Sequence, residues 1–151
     1  MAIIDVYKST FKFTEGVGFK WSPSNNTIYY DSINSVSSPM SLLHEIAHGM
    51  IGHENYDFDI DLIRLERDAW SRTKELAITH SVNYSDDYAQ DCLETYRTWL
   101  HSRSLCPDCG QSGLESEPQA YSCFNCSSRW KVSKNQACQI QRRRTENSTS
   151  S

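Results

Sequence analysis

No stretch of the 151-residue chain stays apolar for the ~20 residues that a bilayer-spanning helix needs. With a mean hydropathy of −0.63, the sequence reads as that of a soluble protein with no membrane partner. Its first residues, Met1-Ala2-Ile3-Ile4-Asp5-Val6, lack the basic segment and long apolar core of a secretion signal. A cytoplasmic location is therefore expected. Cysteines there serve as metal ligands or core residues more readily than as disulfides. A large basic excess is missing as well. Residues from Trp99 onward carry a net +3 and residues 1–98 a net −7, which suggests two units with different surroundings. An excess of +3 does not by itself establish a nucleic-acid partner. The length suits one modest domain with a core and a small appended module.

What the chain does have is Leu42-Leu43-His44-Glu45-Ile46-Ala47-His48-Gly49-Met50-Ile51-Gly52-His53. Ser38-Pro39 is a fitting helix start, and Gly52 a fitting end. Residues four apart share a helix face, so His44 and His48 can converge on one metal ion. Glu45, one residue round, can reach water on that ion. This is the arrangement that peptide hydrolysis at neutral pH uses, with Glu45 as the base.

Two histidines leave such a site one protein ligand short. A third histidine six residues after the second is absent, because that position is Glu54. His53 falls about 140° round a continued helix from His48 and is expected to face away and pack the helix end. Residues 60–81 have helical spacing and place Glu66 where an antiparallel packing brings it to His44 and His48. Ala69, one turn on, is small enough for close approach. The competing reading of Glu66 is an ordinary exposed helix glutamate.

Residues 19–77 resemble the ImmA/IrrE-type zinc metallopeptidases. The likeness lies in a Trp21-Ser22-Pro23…Thr27-Ile28-Tyr29-Tyr30-Asp31 hairpin, the His44–His53 segment and Glu66-Arg67-Asp68-Ala69-Trp70. The resemblance implies a catalytic zinc on His44, His48 and Glu66, with Glu45 as catalytic base. It also implies an α+β minimal zincin-like domain, with a small antiparallel or mixed sheet and about three helices, cutting a dedicated intracellular protein. The family's Leu-Met-Pro segment and helix-turn-helix domain are missing, which separates this chain from the family's usual cleavage of regulators.

A second metal site is written into Cys106-Pro107-Asp108-Cys109 and Cys123-Phe124-Asn125-Cys126, two Cys-x-x-Cys pairs separated by 13 residues. Four thiolates close a tetrahedral site with no open position, so this zinc is expected to be structural and the segment a zinc ribbon. It would supply folding energy that so short a segment cannot draw from a core. The count is then two zinc ions per chain. Phe124, Arg129, Trp130 and Lys131 have the composition of a DNA or RNA contact, aromatics for stacking and cations for phosphates. A protein-docking role for the ribbon is equally compatible.

The resulting layout is a peptidase domain over residues 1–103, a ribbon over 104–135 and a polar tail without fixed structure over 136–151. Residues 3–7, 11–13 and 18–21 read as alternating, aromatic-rich stretches before the Thr27–Asp31 strand. Ser85 reads as the cap of a third helix from Asp86 to about His101. Cys92 reads as a small buried side chain, and Cys138 as incidental. Two other functions remain open. One resembles SprT-type proteases, which act on proteins at DNA but usually take the third ligand from a later histidine. The other is a zinc-binding adaptor without catalysis, in which Glu45 would have no task.

Overall fold

The computed structural model describes residues 2–31, 38–54, 56–133 and 142–145. Within them the chain is α+β and divides into two compact units. One unit comprises residues 1–55 and 65–89, the other residues 56–64 and 90–151. No helix among the described residues is long and apolar enough to cross a membrane.

The first unit opens with α1 (Ala2–Tyr7), followed by β1 (Lys12–Glu15), β2 (Lys20–Ser22) and β3 (Thr27–Tyr30). Residues 3–7 are thus helical, not extended. Ile3, Ile4 and Tyr7, at helical spacing, pack together against the core. The strand order is β1-β3-β2, with β1 parallel and β2 antiparallel to β3. The hairpin read from residues 19–31 is the β2–β3 pair, with Trp21 opposite Ile28.

Next comes α2 (Ser38–Ile51). The side chain of Ser38, the expected cap, lies outside the described residues. Leu42, Leu43, Ile46 and Ala47 of α2 are fully buried and meet Phe11, Ile28, Ala69, Leu76 and Ala77 in one apolar cluster. Gly49 lets the sheet come close: a Cβ there would lie 2.8 Å from the Phe11 ring and 3.4 Å from the Trp21 ring.

α3 (Asp59–Thr79) and α4 (Asp86–Ser104) follow. The Ser85 hydroxyl accepts the Tyr88 N–H at 3.1 Å, the expected N-cap of α4. The second unit then adds β4 (Leu114–Glu117), β5 (Ala120–Ser122), β6 (Arg129–Val132) and β7 (Arg142–Thr145) in spatial order β4-β5-β6-β7, every pair antiparallel. The tail, read as lacking structure, therefore contributes a strand on β6, with Lys131 opposite Arg143. Cys138 and the rest of the tail lie outside the described residues.

Candidate metal centres

His44, Glu45 and His48 come from the middle of α2, and Glu66 comes from α3. His44 Nε2 stands 2.9 Å from Glu66 Oε2, His48 Nε2 3.1 Å from Glu66 Oε1, and the two Nε2 atoms 3.1 Å apart. All three side chains are buried. A tetrahedral ion with zinc's bond lengths of ~2.05 Å needs donors roughly 3.3 Å apart, so the set is close to the spacing a divalent metal takes.

The helix stripe behind this geometry is Glu66, Ala69, Trp70 and Thr73, at i, i+3, i+4 and i+7 of α3. Three of its members touch His44. Glu66 meets Nε2, the Trp70 ring stacks on the imidazole at 3.8 Å, and Thr73 Oγ1 stands 3.4 Å from Nδ1. Ala69 between them is fully buried, as close packing requires. Thr73 spends its hydroxyl proton on the Ala69 carbonyl at 2.6 Å, so it faces His44 with lone pairs. That favours the tautomer with the proton on Nδ1 and leaves Nε2 free for a metal.

Charge follows the same pattern. Burial alone would push the Glu66 carboxyl up, but the two imidazoles against it, His44 and His48, hold it at about 2, an anion at neutral pH. Burial acts against a charged His48, yet Glu66 prevails and raises its pKa. Glu45 is half-buried beside these groups. Desolvation pushes its carboxyl above the ordinary value, against the opposing pull of His44, His48 and the Trp21 backbone N–H. A carboxyl shifted upward next to a cluster of metal donors suits a group that must take and return a proton.

His53 departs from its expected position. The chain does not continue as helix past Ile51, because Gly52 takes φ +78°. Gly52 N–H bonds the Gly49 carbonyl at 3.2 Å and His53 N–H bonds the His48 carbonyl at 3.0 Å, a Schellman turn. The turn folds His53 back, so that its Nδ1 lies 2.9 Å from Nδ1 of His48 instead of facing away. His53 also packs the helix end, its carbonyl accepting the Trp21 indole N–H at 2.9 Å. A more distant histidine, His80, meets the Tyr7 hydroxyl at 2.7 Å.

In the second unit, Cys106, Cys109, Cys123 and Cys126 gather with their sulfurs within 4.8 Å of one another. The Cys106–Cys126 and Cys109–Cys123 Sγ distances are both 3.5 Å. Tetrahedral thiolates at ~2.3 Å from an ion stand roughly 3.8 Å apart, so this set also fits. Each knuckle is a tight turn. Gly110 N–H bonds the Cys106 carbonyl at 2.9 Å, Ser127 N–H bonds the Cys123 carbonyl at 3.1 Å, and both turn residues have positive φ. The Asn125 side chain and the Gln111 N–H hold the Cys109 thiol down at about 6, where it is mainly thiolate at neutral pH.

The four residues expected to make partner contacts do not share one surface. Phe124 is 77% exposed in the second knuckle, and Arg129 and Lys131 are exposed on β6. Trp130 is a correction. It is fully buried, stacks on Tyr121 at 5.7 Å and donates its indole N–H to the Arg103 carbonyl at 2.9 Å. The strand pleat turns Trp130 and Val132 inward and Arg129 and Lys131 outward, so Trp130 belongs to the apolar cluster of the second unit and has no face left for a base.

Compared with family models, with curated proteins and with solved structures, the chain matches none.

Proposed function

We propose that this chain is a zinc-dependent metallopeptidase of minimal zincin architecture, akin to the ImmA/IrrE type, that hydrolyses peptide bonds of a cytoplasmic protein. The observation that carries the reading is the convergence of His44 Nε2, His48 Nε2 and both Glu66 oxygens within 2.9–3.1 Å, with Glu45 next along the same helix. Two neutral imidazoles and one carboxylate form a three-ligand set that leaves a fourth position for water or substrate. A zinc ion held there supplies a Lewis acid that polarises a carbonyl and acidifies water.

The rest is the work of the chain. Glu66 keeps its negative charge and draws the two histidines together. Glu45 accepts a proton from the attacking water and returns it to the leaving amine, a role its raised pKa favours. The four thiolates hold a second zinc with no open position, which makes it structural, and the ribbon then serves as a docking module for protein or nucleic acid.

The test is metal content by elemental analysis, followed by hydrolysis. The parent should carry two zinc ions per chain, Glu66→Ala and Cys106→Ser should each lose one, and Glu45→Gln should keep both. Against a panel of cytoplasmic proteins, Glu45→Gln should abolish whatever cleavage the parent performs. A single zinc that Glu66→Ala leaves in place and Cys106→Ser removes would overturn the peptidase reading. Cleavage that requires added DNA would move the assignment to the SprT-like reading. Full zinc with no cleavage dependent on Glu45 would move it to an adaptor.

A further inference from the structure

We propose that His53 is a positioning residue of the His44/His48/Glu66 centre, one that accepts the Nδ1 proton of His48 and so commits Nε2 of His48 to the metal. The inference rests on reading that centre as a metal site. A neutral imidazole has one N–H, and only the nitrogen without it can bind a metal. His48 Nε2 faces Glu66 Oε1 at 3.1 Å and His44 Nε2 at 3.1 Å, so in a metal site Nε2 is the ligand atom and Nδ1 carries the proton. Nδ1 of His48 meets Nδ1 of His53 at 2.9 Å. Two ring nitrogens at that distance share one proton. His48 therefore donates, His53 accepts, and the proton of His53 sits on its own Nε2.

The chain holds His53 there from both sides. The Schellman turn at Gly52 aims the residue back at α2, and the Trp21 indole grips its carbonyl. His53 is only 8% exposed, so water competes little for the Nδ1 contact. His53 is not among the residues whose donor atoms converge within 4.8 Å, so its part is played through His48. His44 has the corresponding partner in Thr73, but at 3.4 Å that contact is longer and weaker. Of the two histidine ligands, His48 has the tighter support.

Two substitutions separate an acceptor from a filler. His53→Leu removes the acceptor and keeps bulk, whereas His53→Asn keeps an oxygen where Nδ1 stood. Full-length protein stripped of metal is titrated with Co²⁺ in competition with a chelator. The thiolate site is told apart by its strong sulfur-to-cobalt absorption, which the His/Glu site lacks. His53→Leu should weaken Co²⁺ at the His/Glu site roughly 10- to 100-fold and leave the thiolate site unchanged, and His53→Asn should restore most of the loss. If His53→Leu binds like the parent, or His53→Asn is as weak as His53→Leu, His53 only packs the helix end and the inference is overturned.

A parent that takes up cobalt at the thiolates alone would instead overturn the metal-centre reading itself, and this inference with it. Should His53→Leu not fold, the Zn²⁺-loaded parent still decides the matter. Long-range ¹H–¹⁵N spectra of its histidines should show His48 protonated at Nδ1 and His53 at Nε2, and any other pair of tautomers refutes the assignment.

Discussion

Arg103 carries a fully buried guanidinium, and Asp59, also fully buried, meets it with two hydrogen bonds at 2.8 and 3.2 Å. Tyr121 donates its hydroxyl to the same carboxylate at 2.6 Å, the Trp99 ring lies 4.3 Å from the guanidinium carbon, and Glu115 caps the Asp59 N–H at 2.7 Å. Removing one member of such a pair strands a charge out of water, at a cost of about 3–5 kcal/mol. Asp59→Ala should lower the urea-unfolding free energy by that amount. Adding Arg103→Met to Asp59→Leu should destabilise by less than the sum of the two single changes, because the stranded charge goes with it. Strict additivity in that cycle would mean that the pair does not act as one. Nothing in the sequence around Asp59 announces this role: Asn55-Tyr56-Asp57-Phe58-Asp59 reads as a polar link, and the partner is 44 residues away. His44, Glu45, His48 and the four cysteines are legible because their chemistry lies in local spacing. Trp130 is misread when composition counts an aromatic without its face, although the alternation of β6 carries that information.

α2 and α3 show how an element's period and its end place a side chain. The period is readable. His44 and His48 lie one turn apart, and Glu66, Ala69, Trp70 and Thr73 form the facing stripe, so the centre follows once α3 packs against α2. The end is harder to read. Gly52 is legible as a terminator, but a position counted round a continued helix puts His53 on the wrong side. A left-handed residue reverses the chain, and helical angles lose meaning beyond it. Gly52→Ala keeps the chain length but forces a Cβ into φ +78°, which costs roughly 1–2 kcal/mol. The loss should appear as a lower thermal midpoint, with Gly52→Asn recovering part of it because asparagine tolerates the left-handed region. Equal losses for alanine and asparagine would show that the backbone angle is not what the glycine supplies. Residues 3–7 show the limit of short patterns, since Ile3-Ile4-Asp5-Val6-Tyr7 suits a strand by residue type and becomes α1 through its packing.

The two compact units have apolar clusters of different size and make-up. The apolar cluster of the first is built from Phe11, Ile28, four residues of α2 and Ala69, Leu76 and Ala77 of α3, with no metal ligand among its fully packed members. The cluster of the second has five buried members, Cys106, Tyr121, Cys123, Trp130 and Val132, and two of them are candidate metal ligands. Without a metal, four thiols confined within 4.8 Å repel one another as they ionise. A structural metal on four cysteines is worth on the order of 10–16 kcal/mol, more than so small a cluster can replace. Chelation of metal from the whole protein should therefore strip amide-exchange protection from β4, β5 and β6. Protection should persist in α2, where Leu42, Leu43 and Ile46 stay enclosed by their own cluster. Returning zinc should restore those amides, and Cys106→Ser should reproduce the chelated pattern with metal present. Protection that survives chelation in β4–β6 would mean that Trp130 stacked on Tyr121 and the Asp59–Arg103 pair hold these strands without a metal. Loss of protection in α2 at the same chelator concentration would mean that its cluster depends on a metal as well.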